Sequence, residues 1–446
     1  MRGEIVNYLY IPRFREEENY VIVSKEDGSM DFYSKDSLEL LKKGDFDNIE
    51  QFKLFNLDNI LKLKSEGKLQ HFFNDSYLEK NKPLKSPISI SIEVTRECNL
   101  LCQHCSVKAG TKRENELSLS EIKDLVDQIK KMEIFSLFIS GGECFLRKDI
   151  LDILNYIDSK DIDCFVQSNG LLLNEDIISS LPKSIYLVLS FDGINSCNKL
   201  HKSSFDFEQY DNLFKLLKKY KRNFTIQYVA YKDNLYEIPS TYEYCQKNKI
   251  DMAALDLFCT GRANVNRNIF PSLEQWDLYD QLAARKYEYE KEQQQFEKEI
   301  FVDSPNPYHF AFIQKLQEIF ERTYSGVFAM YVASNGDVYP DVMHAGEGLF
   351  KAGNIREKCL QDIWDNSFTE IREYVKWKNW KECLKCPLNR QFCDYKMPVL
   401  SYNLHKDYNY CGALPSQKEI MDRRYNKREC NEKAYTNDRA RELDFW

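Results

Sequence analysis

The stretch that decides the fold runs from Glu93 to Cys105 and reads Glu-Val-Thr-Arg-Glu-Cys-Asn-Leu-Leu-Cys-Gln-His-Cys. Its three cysteines, Cys98, Cys102 and Cys105, have the spacing C-x3-C-x2-C. They directly follow the alternating apolar run Ile88–Val94, which predicts a strand. A cubane iron-sulfur cluster needs a thiolate on each iron, and three thiols on one loop can reach three corners of one cube. The remaining iron is then free to bind a group that is not protein.

Zinc is the alternative for this triplet. Structural zinc takes four closed ligands, usually in pairs along the chain. The nearest fourth candidate is His104, which lies inside the triplet, where its backbone is already committed. An iron-sulfur cluster therefore explains the spacing better than zinc, and better than three unconnected core cysteines.

Length and composition set the broad class. The chain has 446 residues, 43% of them hydrophobic, which predicts a large core and two or three domains. A net charge of -8 argues against a general nucleic-acid binder. We find neither an apolar run of about 18 residues nor a signal-like start, so we expect no membrane span and no secretion. Fourteen cysteines without a secretory signal indicate a reducing compartment, and we expect the cytoplasm.

After residue 88 the pattern alternates regularly between strands and helices. One of the helical patterns, 119–132, begins with Ser118 and Glu121 spaced as a capping box, and another covers 207–220. Such alternation predicts a parallel sheet with right-handed crossovers. The six predicted strands are Ile88–Val94, Phe135–Ser140, Asp163–Ser168, Ile185–Ser190, Phe224–Tyr231 and Met252–Phe258.

Short polar motifs follow three of these strands, at the edge where functional groups of a parallel barrel collect. The first is Gly141-Gly142-Glu143, in which the glycines allow close approach to a ligand and the carboxylate can bind a cationic amine. Ser168-Asn169-Gly170 and Ser190-Phe191-Asp192-Gly193 follow the next two strands. Each motif alone describes an ordinary turn. Their placement at successive strand ends favours a functional site.

The cysteine triplet with these motifs resembles the signature of the radical S-adenosylmethionine (SAM) superfamily. The resemblance implies an α/β fold, a partial (β/α)6 TIM barrel, with a 4Fe-4S cluster on Cys98, Cys102 and Cys105 whose open iron binds SAM. Reductive cleavage of SAM would give a 5'-deoxyadenosyl radical that takes a hydrogen atom from the substrate. The family pattern assigns SAM contacts to Gly141, Gly142, Glu143, Asn169, Ser190 and Leu257.

Two departures from the family pattern affect the SAM contacts. Cys144 stands where the family usually has proline after the glutamate, and no arginine is evident near His201-Lys202 to pair with the SAM carboxylate. The segment Gly261-Arg262-Ala263 after the last barrel strand resembles one that is common in the peptide-modifying branch of the family.

The C-terminal part contains a second set of cysteines. Met330–Tyr339 predicts a hairpin, because Asn335-Gly336 is a strong turn signal. The four cysteines that follow complete a four-thiolate site, which suits either an iron-sulfur cluster or a zinc ribbon. They are Cys383, Cys386, Cys393 and Cys411.

The order of hairpin, Gly353-Asn354-Ile355, Trp364 and cysteines resembles the SPASM domain, which holds auxiliary 4Fe-4S clusters in radical SAM peptide maturases. A full SPASM domain has two such clusters. Here Asp341 and Met397 stand where two thiolates of one cluster are typical, and no cysteine lies between Cys259 and Cys359. We therefore predict one auxiliary cluster on the four cysteines and the loss of the other. Asp341 is a candidate iron ligand or catalytic base, and Asp192 is a second acid-base candidate.

These patterns divide the chain into six segments. The first shows strand-like runs at Tyr20–Val23 and Met30–Tyr33 with helical patterns near 36–43 and 57–66. In enzymes that resemble this one, such a winged-helix-like module binds a peptide leader by strand addition; an extension packed on the barrel is the alternative. The segments are 1–73 (this module), 74–87 (linker), 88–265 (barrel), 266–327 (helical connector), 328–415 (SPASM-like domain) and 416–446 (charged tail).

The resemblance predicts a radical SAM oxidoreductase that matures a ribosomally synthesised precursor peptide with a leader. An intramolecular side-chain crosslink, carbon to carbon, oxygen or sulfur, is the favoured reaction, because it needs an electron sink such as an auxiliary cluster. Epimerisation, or residue oxidation as in sulfatase maturation, is the enzymatic alternative, and a zinc-binding interaction scaffold is the alternative of another class. The expected partners are the peptide and an external electron donor of flavodoxin or ferredoxin type, with no nucleic acid and no membrane.

Overall fold

The computed structural model describes four N-terminal strands and then most of the chain from residue 84 to residue 432. The described ranges are 7–11, 20–24, 30–34, 53–56, 84–281 except 85, 135 and 161, 322–380, 395–432, and the single positions 40, 317, 382, 383, 386 and 393.

The N-terminal strands form an antiparallel sheet in the order β1-β2-β3-β4. The two strands predicted in this module are confirmed as β2 and β3, whereas β1 and β4 were not predicted. Most of the two helical patterns, 36–43 and 57–66, lies outside the described residues, so the winged-helix interpretation stays a prediction. The strands are β1 Asn7–Ile11, β2 Tyr20–Ser24, β3 Met30–Ser34 and β4 Lys53–Asn56.

A second sheet of nine strands carries the rest of the fold, in the order β10-β9-β8-β7-β6-β5-β11-β12-β13. Its first six strands pair in parallel, and each of them lies within two residues of its predicted bounds. This confirms the parallel six-stranded barrel. The strands are β5 Ser89–Thr95, β6 Ser136–Gly141, β7 Asp163–Ser168, β8 Ile185–Ser190, β9 Asn223–Ala230 and β10 Asp251–Asp256.

Helices between the strands cover the sheet with one apolar face each. The predicted capping box is present in the first of them, where the Ser118 hydroxyl accepts the Glu121 amide and the Glu121 carboxylate accepts the Ser118 amide. Ile122, Leu125 and Ile129 recur on its buried face at helical spacing. The helices of this part are α1 Leu119–Lys131, α2 Ile150–Ser159, α3 Glu175–Ser180, α4 Phe207–Lys219, α5 Ile238–Lys247 and α6 Gly261–Val265.

The predicted C-terminal hairpin joins the barrel sheet directly. Its turn contains Gly336 at a φ of 86°, and its strands are β11 Ala329–Val332 and β12 Asp337–Tyr339, followed by β13 Gly353–Asn354. β11 pairs in parallel with β5, the strand that leads into the cysteine loop. The buried Glu93 carboxylate of β5 accepts hydrogen bonds from Tyr331 Oη at 2.8 Å and from Ser334 Oγ at 2.7 Å. The auxiliary domain therefore continues the sheet of the barrel.

Among the described residues, five further α-helices lie in the C-terminal part. Residues 273–281 of the predicted connector are helical, and its residues 282–316 lie outside the described part. No helix among the described residues is both long enough and apolar enough to cross a lipid bilayer. The helices are α7 Val342–Glu347, α8 Leu360–Asn366, α9 Thr369–Tyr374, α10 Pro398–His405 and α11 Pro415–Glu432.

Candidate metal centres and SAM site

The three cysteines of the triplet lie on the loop that follows β5, half-buried and with free thiols. The Leu100 amide donates to Cys98 Sγ at 3.4 Å, and the Ala109 amide donates to Cys105 Sγ at 3.3 Å. Burial raises the pKa of Cys98 to about 12, and the nearby Cys102, Glu143 and Cys105 act in the same direction. Thiolates gathered on one short loop need a cation among them, so the donor set fits an iron-sulfur cluster.

The glycine pair after β6 packs against the cysteine loop. A Cβ at Gly142 would come within 2.0 Å of the Glu97 carbonyl oxygen. The Gly142 amide donates to the Thr95 carbonyl at 2.9 Å, and the Glu143 amide donates to the Glu97 carbonyl at 2.8 Å. The sequence predicted that these glycines allow close approach to a ligand. What they approach in the structure is the backbone that presents the cysteines.

Glu143 is fully buried, and its carboxylate links the ends of β6 and β7 through hydrogen bonds. It accepts hydrogen bonds from the Phe145 amide at 3.1 Å, from Ser168 Oγ at 2.9 Å and from the Asn169 amide at 2.9 Å. Burial raises its pKa, although these hydrogen bonds oppose the shift. Its assignment to the SAM amino group stays a prediction.

The other predicted SAM contacts divide between two places. Asn169 Nδ2 donates to Asn99 Oδ1 at 2.8 Å, which links the end of β7 to the cysteine loop. Ser190 is the half-buried last residue of β8. Leu257 is buried in an apolar cluster that includes Leu200, and its carbonyl accepts a hydrogen bond from Gln417 Nε2 at 3.0 Å. The contacts of the described residues thus bring Glu143 and Asn169 to the loop, whereas Leu257 belongs to a neighbouring cluster.

Arg262 also makes hydrogen bonds to the cysteine loop. Its Nε donates to the Cys102 carbonyl at 2.7 Å, its Nη1 donates to the Ala109 carbonyl at 2.8 Å, and its amide donates to the Cys105 carbonyl at 3.0 Å. The Gly261 amide donates to Glu347 Oε1 of α7 at 2.7 Å. The sequence singled out this segment only by resemblance, and the structure shows that it shapes the loop of the predicted cluster ligands.

The sequence did not predict a role for His201. Its Nδ1 lies 3.3 Å from Cys102 Sγ, and its Nε2 lies 2.7 Å from Asp192 Oδ2. Burial disfavours charge on both side chains, but their ion pair raises the pKa of His201 well above its usual value and lowers that of Asp192. The ring of His104 meets that of His201 edge-on, with centroids 5.3 Å apart. Burial and His201 lower the pKa of His104 to about 4, and together the three side chains form a polar group beside Cys102.

The four later cysteines line one pocket, as the sequence predicted. Burial raises the pKa of Cys383 to about 11, and the nearby Lys396 opposes the shift. Lys396 is only 2% exposed, and its ammonium lies 3.9 Å from the centre of the Trp377 ring. Four convergent thiols beside a buried cation fit a metal centre that carries negative charge, such as a four-thiolate iron-sulfur cluster. The pocket is lined by Glu382, Cys383, Cys386, Cys393, Tyr395, Lys396, Cys411, Lys418, Met421 and Asp422.

The positions predicted to have lost their thiolates are occupied in other ways. Asp341 caps α7, since its Oδ1 accepts the amides of Met343 and His344 at 2.8 and 3.0 Å. Its Oδ2 lies 2.8 Å from His344 Nδ1. Met397 is buried in an apolar cluster with Met343 and Leu400. Both positions have structural roles, and the loss of one cluster stays a prediction. Asp341 as an iron ligand or base stays a prediction.

Two family models match the chain. The radical SAM superfamily model matches residues 92–245, and the SPASM model, an iron-sulfur cluster-binding domain, matches residues 325–387. The first range lies inside the predicted barrel. The second begins just before the predicted auxiliary domain and contains the hairpin with the first two of the four later cysteines. These matches confirm both resemblances.

Curated relatives include enzymes with different substrates. The AdoMet-dependent heme synthase of Methanosarcina barkeri is 27% identical over 371 residues, which cover 75% of this chain and 98% of that enzyme. The mycofactocin maturase MftC of Mycolicibacterium smegmatis is 31% identical over 115 residues, which cover 25% of this chain and 29% of MftC.

Solved structures share the fold over most of the chain. SuiB of Streptococcus suis, bound to the precursor peptide SuiA, superposes with a TM-score of 0.63 at 19% identity and covers 94% of this chain and 100% of SuiB. The enzyme anSMEcpe with bound AdoMet superposes with a TM-score of 0.59 at 17% identity and covers 81% of this chain and 99% of that chain. At these identities the likeness concerns the fold alone.

Proposed function

The chain belongs to the radical SAM superfamily and carries a SPASM domain, and from this premise we propose that it matures a ribosomally synthesised peptide by forming an intramolecular side-chain crosslink. The observation that carries the proposal is the combination of two thiol sets, one on the loop after β5 and one in the C-terminal part whose hairpin joins the same sheet, with a separate N-terminal sheet. Each outer strand of that sheet, β1 and β4, has one described neighbour. An extended leader peptide can add a strand at such an edge.

The share of this chain that each comparison covers separates this proposal from the heme synthase activity of a relative. That enzyme is covered over 98% of its own length, yet the match leaves a quarter of this chain unaccounted for. The superposition with peptide-bound SuiB accounts for 94% of the chain. Additional chain beyond a heme synthase of that length is what a macromolecular substrate with a leader would require, and a tetrapyrrole would not. Tetrapyrrole modification is the second candidate, because the heme synthase match spans almost that whole enzyme.

The chain contributes a framework to the chemistry. With a SAM-bound cluster in place, the cofactors supply a 5'-deoxyadenosyl radical. The cysteine loop, held by Gly142 and Arg262, would fix the position of the SAM cluster, and the ends of β6, β7 and β8 would orient SAM. A crosslink removes two hydrogens from the peptide: one leaves as a hydrogen atom to the radical, and the other leaves as a proton and an electron. The four-cysteine pocket is the proposed place of the electron acceptor.

The proposal includes an external donor and a compartment. A flavodoxin or ferredoxin would supply the electron that starts each turnover, and two cysteine sets that serve metals rather than disulfides favour the reducing cytoplasm. The radical SAM match removes the zinc-scaffold alternative for the barrel, while zinc in the four-cysteine pocket is tested by metal analysis.

Metal content is the first test. After anaerobic reconstitution, we expect about eight irons per chain, falling to about four in the variant with Cys98, Cys102 and Cys105 all changed to alanine, because each cubane holds four. About twelve irons would contradict the predicted loss of one auxiliary cluster. Zinc in place of iron in the variant would contradict the proposed electron acceptor.

Product analysis then tests the substrate. The reconstituted enzyme is incubated with SAM, a reductant and the peptide encoded by a short neighbouring reading frame. We expect 5'-deoxyadenosine and a peptide lighter by two hydrogens. An unchanged mass with an altered residue configuration would indicate epimerisation. Consumption of a coproporphyrin in a parallel reaction, without peptide modification, would favour the tetrapyrrole candidate.

A further inference from the structure

The sulfur of Cys102 has a hydrogen-bond partner of a different kind from those of its two neighbours. Within the described part of the chain, Cys98 Sγ and Cys105 Sγ accept backbone amides, from Leu100 and Ala109. Cys102 Sγ instead lies 3.3 Å from a side chain, Nδ1 of His201, which is 99 residues away in sequence. This contact can be altered by substitution, whereas the backbone contacts cannot.

Both ring nitrogens of His201 lie near a polar atom of another residue. Its Nε2 is 2.7 Å from Asp192 Oδ2, and the two side chains are 5% and 0% exposed. The other Asp192 oxygen accepts the Val229 amide of β9 at 2.7 Å, which anchors the carboxylate to the sheet. The Gln103 amide donates to the Leu200 carbonyl at 3.0 Å, so the cysteine loop and the His201 segment are also joined through their backbones.

We propose that His201 is the side-chain hydrogen-bond donor to the Cys102 sulfur of the SAM-binding cluster, that Asp192 positions its ring for this contact, and that the pair raises the reduction potential of that cluster. Hydrogen bonds to cluster sulfurs are among the factors that set reduction potentials. Reduction adds negative charge that is shared by the sulfurs, and a donor at one of them stabilises the reduced form. Groups beyond the ligands commonly orient and tune metal ligands in this way.

His201 and Asp192 are positioning residues under this proposal. The sequence offered Asp192 as an acid-base candidate, but its carboxylate is fully buried and turned to His201 and to the Val229 amide. The proposal rests on the proposed function in one respect, which is that Cys102 is a cluster ligand.

Two amide substitutions at position 201 separate the two ends of the ring. In His201→Asn the side-chain amide nitrogen can take the place of Nδ1 and keep a donor near Cys102, while the contact with Asp192 is lost. In His201→Gln the amide nitrogen can take the place of Nε2 and keep the contact with Asp192, while the donor to sulfur is lost. Asp192→Asn leaves the histidine in place and changes only the group that orients it.

The experiment is a redox titration of the reconstituted full-length protein without SAM, followed by electron paramagnetic resonance. Iron is counted in each sample, and Cys383→Ala is present in every variant so that the signal comes from the cluster at the cysteine loop. We expect His201→Gln to lower the equilibrium constant for cluster reduction at least tenfold. This corresponds to a reduction potential that is about 59 mV more negative for a one-electron step. We expect a smaller shift in His201→Asn and an intermediate one in Asp192→Asn.

The proposal would be overturned if both position-201 variants had the same reduction potential as the parent protein. Equal shifts in the asparagine and glutamine variants would overturn it too, because the effect would then not depend on a donor near sulfur. Stoichiometric zinc or extra iron that disappears in His104→Ala would instead assign His104, Asp192 and His201 to a metal site of their own. If the triple alanine variant of Cys98, Cys102 and Cys105 keeps the cluster signal, the failure lies in the proposed function and not in the role of His201.

Discussion

Replacing Gly261 with alanine should displace the cysteine loop and remove the SAM-binding cluster. Gly261 has a φ of 57°, and a Cβ there would lie 2.3 Å from the Cys105 carbonyl oxygen and 2.4 Å from the Ser106 carbonyl oxygen. A carbon and an oxygen in contact are about 3.3 Å apart. The loop or α6 must therefore move by about 1 Å. Metal-ligand distances tolerate only about 0.2 Å, so a shift of this size at Cys105 is incompatible with its role as a ligand.

Gly348 provides a matched control. It has a φ of 70°, and a Cβ there would meet nothing within 4 Å. Both alanine variants carry the cost of a left-handed residue, about 1–2 kcal/mol. We expect Gly348→Ala to keep about eight irons per chain and Gly261→Ala to keep about four, measured after anaerobic reconstitution with thermal unfolding in parallel. Equal iron content in the two variants would refute the reasoning, because the close contact would then have no consequence for the ligands.

Three further outcomes are expected. Cys383→Ser should lose about four irons, whereas Cys359→Ser should lose none, because Cys359 is exposed at the start of α8; equal losses would mean that the pocket is not the ligand set. Lys396→Met should shift the potential of the auxiliary cluster to more negative values, and the exposed Lys418→Met should shift it less because water screens its charge; a redox titration with the opposite order would contradict this. Asp341→Ala should keep its iron but lose about 2–4 kcal/mol of unfolding free energy, from the helix cap and the buried partner of His344; a loss of about four irons would instead make Asp341 a ligand.

The sequence predicted the barrel strands well because each one is a short run rich in apolar residues, alternating or continuous, that is followed by a turn or loop. The same holds for the start of α1, where Ser118 and Glu121 satisfy each other's backbone amides locally. The hairpin at Asn335-Gly336 was predicted for the same reason, but its parallel pairing with β5 was not. That pairing joins residues more than 200 positions apart, and no local pattern encodes it.

In the candidate site, too, features encoded by a local pattern were predicted and long-range contacts were not. Its cysteines were predicted from their spacing, because a cluster needs several ligands on one short loop. The contacts of His201 and Arg262 with that loop come from residues 99 and 160 positions away, and no local pattern in the sequence indicates either contact. The close approach of Gly142 to the backbone of the cysteine loop was not predicted for a related reason, and its contact with SAM stays a prediction. A glycine signals close approach, but the sequence does not say whether a ligand or another part of the backbone comes near.

The SPASM domain is attached to the barrel through contacts that need no metal, so its fold is compatible with the predicted loss of one auxiliary cluster. Its hairpin is held by β5 and by Glu93, and neither depends on metal. At the two positions where the family typically has further thiolates, Asp341 caps a helix and Met397 fills an apolar cluster. Burying a methionine side chain contributes about 1.5–3 kcal/mol, so packing replaces part of the stability that a cluster would supply. The four remaining cysteines are not replaced in this way, and they enclose a pocket beside the buried cation Lys396. The pocket is therefore the place among the described residues where the predicted auxiliary cluster fits.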